Sequence, residues 1–195
     1  MRDLTPFKKE LAAYVAGSAE EAASLERMRR FLAGPEDPFS RATAEGHFTG
    51  SAVITRPDGS AFLLVLHRKL SRWLQPGGHT EESDASVFDT ALREAREETG
   101  IARLDAPLGR AILDVDVHAI PAHGKDAAHA HFDVRYLFTT ELDADPAASE
   151  DPSRPMRWVS LADAAALGTD GSLARALFKA RARLAPGVGS GRTER

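Results

Sequence analysis

The first 33 residues show two runs of apolar side chains at helical spacing. Thr5, followed by Pro6, is typical of the residue that caps a helix start, and Ser18 with Glu21 three positions on forms a capping box for a second helix. The apolar positions are Leu4, Leu11, Tyr14 and Val15 in the first run and Leu25, Met28, Phe31 and Leu32 in the second. The pattern therefore predicts an N-terminal helical hairpin.

After residue 40 the pattern changes to that of β-strands. Residues 48–55 and 61–67 are rich in β-branched and aromatic side chains, and the turn sequence Pro-Asp-Gly at 57–59 lies between them. This segment therefore predicts a β-hairpin. Further strands are expected within 109–120, 131–142 and 156–160.

Helices are expected between and after these strands. Residues 87–99 follow the capping serine Ser86, carry an apolar stripe and end at Gly100. Two more helical patterns cover 161–168 and 172–185. Strands that precede and follow a central helix, with more helices after them, predict an α/β (α+β) sandwich.

The same patterns predict the domain boundaries. We expect the sandwich to cover residues 41–186, with the hairpin and linker of 1–40 packed on its core and a disordered tail over 187–195. Three roles stay open for the hairpin: it could simply cover the sheet, act as a lid, or mediate a homodimer.

Composition narrows the range of partners. The formal charge of −4 is small and the 25 lysine and arginine residues are scattered, so no basic stripe indicates a surface for nucleic acid or an anionic membrane. The absence of cysteine excludes a disulfide framework, a thiolate metal site and a cysteine nucleophile. We therefore expect a small-molecule partner.

The N-terminal sequence bears on localisation. MRDLTPFKKELAAY places charged residues among its apolar ones, unlike the apolar run of a signal peptide. No segment approaches the roughly 18 consecutive apolar residues of a membrane span. We expect a cytoplasmic protein without a membrane partner.

The candidate chemistry lies in residues 77–100, GGHTEESDASVFDTALREAREETG. Glu94, Glu97 and Glu98 fall on one turn of the expected helix, and Arg93 lies four positions before Glu97. Like-charge repulsion at this spacing costs only about 0.2–0.5 kcal/mol per pair. A solvated acidic helix face is therefore an alternative to a binding site.

Two glycines ahead of the helix favour the binding site. Gly77 and Gly78 allow the loop backbone to pass close to a ligand, and Glu81 follows at a short distance. Carboxylates and a backbone carbonyl are the hard oxygen ligands that Mg²⁺ prefers. The segment therefore predicts a site that could hold one or more Mg²⁺ ions against a diphosphate.

Residues 77–101 resemble the signature box of the Nudix hydrolase family. The second half, REAREETGI at 93–101, agrees with the box position by position. The first half is one residue longer than the usual spacing, with Gly78 as the box glycine and Asp84 in place of its glutamate.

The resemblance implies a fold, an activity and a set of metal ligands. The implied fold is an αβα sandwich on a mixed β-sheet, and the implied reaction is hydrolysis of a nucleoside diphosphate linked to another moiety, with Mg²⁺ or Mn²⁺ as cofactor. Glu94 and Glu98 would be the main ligands. Glu97 would be a further ligand or the group that deprotonates water, and Gly77 would contribute its carbonyl.

The remaining box residues are implied to be structural. Arg93 would hold the helix to Glu81 or to another carboxylate of the loop, and Gly78 and Gly100 complete this set. The proline typical of ADP-ribose enzymes and the tyrosine typical of diadenosine polyphosphate enzymes do not align after the box, so no substrate subgroup is indicated.

Four polar residues alternate along a predicted strand after the box: His129, His131, Asp133 and Arg135. Alternate side chains share one face of a strand. That face is either a surface that supports a phosphate or a metal, or an exposed strand face. Two histidines without a third ligand at a recognised spacing do not predict a zinc site.

Three residues near the box are further candidates for substrate contact. His79 could contact a phosphate or serve only a structural or solvated role. Arg68 could assist binding, and Trp73 could either stack on a base or cover the core.

Two other functions are alternatives to hydrolysis. An isopentenyl diphosphate isomerase of the Nudix-like type is disfavoured, because that reaction is expected to use a cysteine and the chain has none. A non-catalytic nucleotide-binding module is the other alternative, although all three box glutamates are present.

Overall fold

The structure, a computed structural model, describes residues 3–68, 70–122, 124 and 127–185. The helices are α1 Thr5–Ala13, α2 Ala19–Phe31, α3 Val87–Thr99, α4 Leu161–Ala166 and α5 Gly171–Leu184, with a short 3₁₀ turn at Pro146–Ala148. The strands are β1 Gly46–Thr55, β2 Phe62–His67, β3 Arg72–Leu74, β4 Gly77–His79, β5 Asp114–Ile120, β6 His129–Thr139 and β7 Met156–Val159. The predicted tail over 187–195 lies outside the described residues. None of the helices in the described ranges is long and apolar enough to cross a membrane.

Strand β1 lies at the centre of a mixed sheet. It pairs with β6 in parallel along its whole length, from Gly46 opposite Ala130 to Thr55 opposite Thr139. Its other edge pairs antiparallel with β2 near Thr55 and with β4 near Gly50. The strand order is β3-β2-β1-β6-β5, with β4 on β1 and β7 on β2.

Helices cover both faces of this sheet. Alternate side chains of β1 point to opposite faces of the sheet, where two hydrophobic cores lie. Ile54 packs in the first core and Val53 in the second. The first core joins the sheet to α1, α2 and α3, and the second joins it to α4 and α5. The predicted αβα sandwich on a mixed sheet is confirmed.

The N-terminal hairpin packs on the first core. Phe7, Leu11 and Met28 are buried there, and the ring of Phe31 stacks on Phe132 at a centroid distance of 4.0 Å. The hairpin therefore covers one face of the sheet, and its possible roles as a lid or in a homodimer stay predictions.

The caps of the hairpin helices follow the sequence closely. The Ser18 hydroxyl accepts a hydrogen bond from the Glu21 N–H at 3.2 Å, as the capping box predicts. The prediction for Thr5 is wrong by one residue, since Thr5 is the first helical residue and Leu4 is its cap. The reason is local: the Asp3 carboxylate accepts a hydrogen bond from the Thr5 N–H at 2.9 Å, which satisfies a free amide at this helix start.

A buried carboxylate ties the hairpin to the opposite side of the sheet. Glu21 is fully buried and accepts hydrogen bonds from Lys179 and from the hydroxyl of Tyr14. Lys179 also lies 3.3 Å from Asp114 on β5. This network links α1 and α2 to α5.

Candidate active site

Helix α3 carries the box glutamates, and its ends are fixed by local chemistry. The Ser86 hydroxyl accepts from the Asp89 N–H at 3.2 Å. Gly100 closes the helix at φ 69°, and a Cβ there would meet the Asp145 carbonyl oxygen at 2.0 Å, so only glycine fits. The predicted helix over 87–99 is confirmed.

Strand β4 brings the glycine pair against the glutamates of α3. A Cβ on Gly78 would lie 2.3 Å from Glu94 Oε1, so the absence of a side chain is what allows this approach. The Gly77 N–H donates to Glu98 Oε2 at 3.3 Å. The structure therefore gathers Gly77, Gly78, Glu94 and Glu98 at one place.

Arg93 connects the helix to the loop that precedes it. Its Nε donates to Asp84 Oδ1 at 3.1 Å and its Nη2 to Asp84 Oδ2 at 3.0 Å. Glu81 is more distant, at 3.9 Å from Nη1, and is mostly exposed. The resemblance implied that Arg93 holds either Glu81 or another carboxylate of the loop. In the structure its main loop partner is Asp84, the residue that replaces the box glutamate.

Arg93 also orders the glutamates themselves. Its Nη1 donates to Glu97 Oε2 at 2.7 Å and to Glu94 Oε1 at 3.1 Å. Its Nη2 donates to the carbonyl oxygen of His79 at 2.9 Å. One guanidinium thus fixes β4, the loop and two carboxylates of α3.

Burial sets the electrostatics of the site. Desolvation raises the pKa of Glu94 to about 7, with repulsion from Glu98 and Glu97 in the same direction and attraction to Arg93 against it. Desolvation also raises the pKa of Glu98. The side chains of Glu94 and Glu98 are only 16% and 15% exposed, so the alternative of a solvated acidic face is wrong for these two residues.

Sequence reasoning missed Arg154. It forms an ion pair with Glu98 from the segment that leads into β7, 56 residues further along the chain. No motif or spacing in that segment pointed to the contact. Arg68 lies at the edge of the same region, where its Nη2 donates to the Ser153 hydroxyl at 2.8 Å.

A surface cleft of about 390 Å³ adjoins the box at Arg154. Trp158 lines it, with the Arg56 guanidinium 3.9 Å from its ring centroid. Trp73 packs instead against the second core, which favours its core-covering role over base stacking.

Asp133 and Arg135 correct the sequence-based interpretation of β6. They are 2% and 3% exposed, so the exposed-face alternative is wrong for both. Arg135 pairs with Asp133 at 3.0 Å and with Asp114 at 3.2 Å. Asp133 also accepts from the hydroxyls of Thr49 at 3.0 Å and Ser51 at 2.8 Å. These charges are compensated inside the protein, and this burial gives no support to substrate contact by either residue.

The histidine candidates lie together beside the box. His79 and His131 are half-buried and flank a third histidine, His47, which sequence reasoning did not single out. His129 also borders His47, at 5.2 Å between ring centroids, and its Nδ1 lies 2.8 Å from the Ala127 carbonyl oxygen.

A family model described as NUDIX domain matches residues 47–180, more than half of the chain. This chain belongs to the Nudix family. It is accordingly a hydrolase acting on acid anhydrides, a Nudix pyrophosphohydrolase, and Nudix enzymes generally use divalent metal ions. The resemblance seen over 77–101 is confirmed.

Solved structures with this Nudix fold include hydrolases from several organisms. A possible asymmetric diadenosine tetraphosphate hydrolase from Jonesia denitrificans has a TM-score of 0.53 at 16% identity, over 70% of this chain and 93% of that one. The Ap4A hydrolase from C. elegans has 0.50 at 22%, over 71% and 98%. The MutT Nudix hydrolase from Burkholderia pseudomallei has 0.50 at 22%, over 69% and 97%. A comparison with curated proteins found no match.

Proposed function

We propose that this Nudix hydrolase cleaves a diphosphate bond in a nucleoside diphosphate linked to another moiety. Water would attack phosphorus, with Mg²⁺ or Mn²⁺ as the cofactor. The observation that carries the proposal is the convergence of two largely buried carboxylates, Glu94 and Glu98, on the side-chain-free backbone of Gly77 and Gly78.

The residues present fit a divalent ion of this kind. Glu94 and Glu98 offer hard carboxylate oxygens, and Glu97 and the Gly77 carbonyl would complete the donor set. Burial and repulsion from the neighbouring glutamates raise the pKa of Glu94 to about 7. The cationic groups of the protein therefore do not fully stabilise the ionised form of Glu94. A bound cation would supply the additional positive charge.

The divalent ion, when bound, would polarise phosphoryl oxygens and lower the pKa of a coordinated water. The chain supplies the positioning. Arg93 holds the Glu97 carboxylate at 2.7 Å, and we assign Glu97 to orient the attacking water or accept its proton. Arg154, already in contact with Glu98, is the cationic side chain placed to meet the charge of a bound phosphate.

The choice of nucleotide substrates rests on the family match. Nothing in the described residues selects one nucleotide over another, and the matched structures share a fold rather than a sequence close to this one. A substrate screen therefore has to span nucleoside triphosphates, dinucleoside polyphosphates, nucleotide sugars and ADP-ribose.

The test is phosphate release from that panel, after coupling with a phosphatase where needed, in Mg²⁺, Mn²⁺ or EDTA. We expect turnover of at least one compound that stops in EDTA and falls by at least 100-fold in Glu98→Gln. Glu26→Gln, an exposed position on α2, is the matched control and should leave turnover unchanged. A folded wild-type protein that binds nucleotides but hydrolyses none would instead establish the non-catalytic module.

A further inference from the structure

Three histidines from three adjacent strands form a cluster beside the box. His47 lies on β1 directly opposite His131 on β6, and His79 ends β4, which pairs with the other edge of β1. Each contributes a ring nitrogen, and these three atoms lie within 4.8 Å of one another. The ring centroids of His47 are 4.9 Å from those of both His79 and His131.

The buried side chain of His47 lacks hydrogen-bond partners in the part of the chain that the structure describes. Its side chain is 2% exposed, and neither Nδ1 nor Nε2 has a hydrogen-bond partner among the described residues. Buried polar atoms in proteins are nearly always paired, and an unpaired one costs about 1–3 kcal/mol. The imidazole faces its two half-buried neighbours, so a ligand held among the three rings would satisfy it.

The electrostatics favour a metal ion over a phosphate as that ligand. Burial lowers the pKa of His47 to about 4, with repulsion from His79 and His129 in the same direction. Burial likewise lowers the pKa of His131 to about 2. A ring in its neutral form has a lone pair to donate to a metal ion, whereas it offers a phosphate one N–H and no positive charge.

We propose that His47, His79 and His131 bind a borderline divalent transition-metal ion such as Zn²⁺. Imidazole nitrogen is a preferred donor for Zn²⁺, whereas Mg²⁺ prefers oxygen. Three histidines with one open coordination position is a donor set that zinc sites use. Zinc–nitrogen bonds are about 2.0–2.1 Å long, so closing the site would require the half-buried His79 and His131 side chains to turn towards the ion.

The histidine site is chemically separate from the carboxylate site, although the two are adjacent. His79 is two residues from Gly77 on the same strand, and its carbonyl oxygen accepts from Arg93. The box offers oxygen donors and the histidine site offers nitrogen donors, so the two would select different ions. The histidine site does not depend on which substrate the box hydrolyses.

Cobalt titration tests the site directly. Untagged protein is stripped with EDTA, dialysed, and titrated with Co²⁺ while the visible absorption is recorded, because tetrahedral Co²⁺ absorbs far more strongly than octahedral Co²⁺. We expect one strongly absorbing Co²⁺ per chain, displaced by Zn²⁺ but not by Mg²⁺. The double variant Glu94→Gln/Glu98→Gln, which removes the main carboxylate donors of the box, should keep the absorption.

Histidine variants identify the ligands. His79→Gln and His131→Gln should each weaken Co²⁺ binding at least tenfold, and circular dichroism verifies that they fold. His67→Gln, which removes a histidine of β2 outside the cluster, should bind like the wild type. The proposal fails if wild-type protein gives no intense band, if both cluster variants keep it, or if only the glutamate variant loses it. Hydrolysis in Mg²⁺ is measured separately, so the two proposals can fail independently.

Discussion

Arg93 and Asp84 meet side-on through two hydrogen bonds, from Nε to Oδ1 at 3.1 Å and from Nη2 to Oδ2 at 3.0 Å. Asp84 is also buried, at 6% exposure, and accepts from the Thr90 hydroxyl at 2.9 Å. The extra residue in the first half of the box therefore does not break the link between loop and helix. The link is made by Asp84, which has a shorter side chain than glutamate and lies one position before the place of the usual box glutamate.

Removing the charge of Asp84 should loosen the site. In Asp84→Asn, Arg93 loses its bidentate partner and the glutamates of α3 lose their fixed position. We expect the apparent Mg²⁺ affinity or kcat/KM to fall about 10- to 100-fold, the usual effect of losing a residue that orients metal ligands. Glu82→Gln, an exposed acid in the same loop, is the control and should leave Mg²⁺ titrations of activity unchanged. Equal behaviour of the two variants would argue against this role for Asp84.

A methyl group at position 78 should displace a glutamate. In Gly78→Ala the new Cβ would lie 2.3 Å from Glu94 Oε1, so the Glu94 carboxylate has to move. We expect Mg²⁺ binding, measured by calorimetry, to weaken at least tenfold while the circular dichroism spectrum is retained. Gly171→Ala meets nothing within 4 Å and should bind Mg²⁺ like the wild type. Unchanged affinity in Gly78→Ala would show that Glu94 is not a ligand.

Arg154 should compete with a bound cation for Glu98. Its guanidinium pairs with the same carboxylate that we assign to the metal. In Arg154→Ala we expect Mg²⁺ to bind roughly two- to fivefold more tightly without substrate, since a partly exposed ion pair is worth about 1 kcal/mol or less. Arg103→Ala removes an exposed arginine elsewhere and should have no effect. Weaker Mg²⁺ binding in Arg154→Ala would contradict the competition.

The buried Glu21 should make stability depend on pH. Burial raises its pKa, but hydrogen bonds from Lys179, Tyr14 and the Gly17 N–H outweigh this and lower it from 4.5 to about 2. The folded state therefore binds the proton more weakly than the unfolded state. This contribution to the free energy of unfolding is present above about pH 4.5 and is lost as the pH falls towards 2.

Urea denaturation from pH 2.5 to 6 measures that contribution. Glu21→Gln should lower the free energy of unfolding by about 3 kcal/mol near pH 6, because each unit of the pKa shift from 4.5 to about 2 corresponds to about 1.4 kcal/mol. The difference from the wild type should shrink at the acidic end. Glu26→Gln changes an exposed acid of the same helix and should follow the wild-type curve. A pH-independent difference would rule out ionised Glu21 as the cause.

The local elements could be predicted because their signals are local. The Ser18 and Ser86 caps, the glycine at Gly100 and the apolar periods of the helices each act within a few residues. The box over 93–101 likewise depends on positions within one helix and its end. Thr5 shows the limit, since Asp3 two residues away was enough to shift the start of α1.

The alternation in β6 shows why burial was harder to predict. His129, His131, Asp133 and Arg135 do share a strand face, as the period of two requires. The sequence could not decide that this face is covered near Asp133 and Arg135, because the cover comes from residues such as Ser172 on α5 and Asp114 on β5. A half-exposed strand and a strand with buried ion pairs have the same alternating pattern.

The sequence by itself determined the main helices, the longer strands and the acidic turn of Glu94, Glu97 and Glu98, since these follow from periodicity, caps and short spacing. The αβα arrangement followed from the family resemblance, and the short strands β3 and β4 were not predicted. Only the tertiary structure decided that Arg154 pairs with Glu98 and that His47 and His131 face each other. The register of β1 against β6 fixes the histidine contact, between residues 84 positions apart in the chain. The Arg154–Glu98 contact joins residues 56 positions apart, and it depends on α3 lying against the segment before β7, where the Glu150 N–H donates to the Glu97 carbonyl oxygen at 2.8 Å. No local pattern carries that information, because register depends on how whole strands bury their faces against the two helical layers.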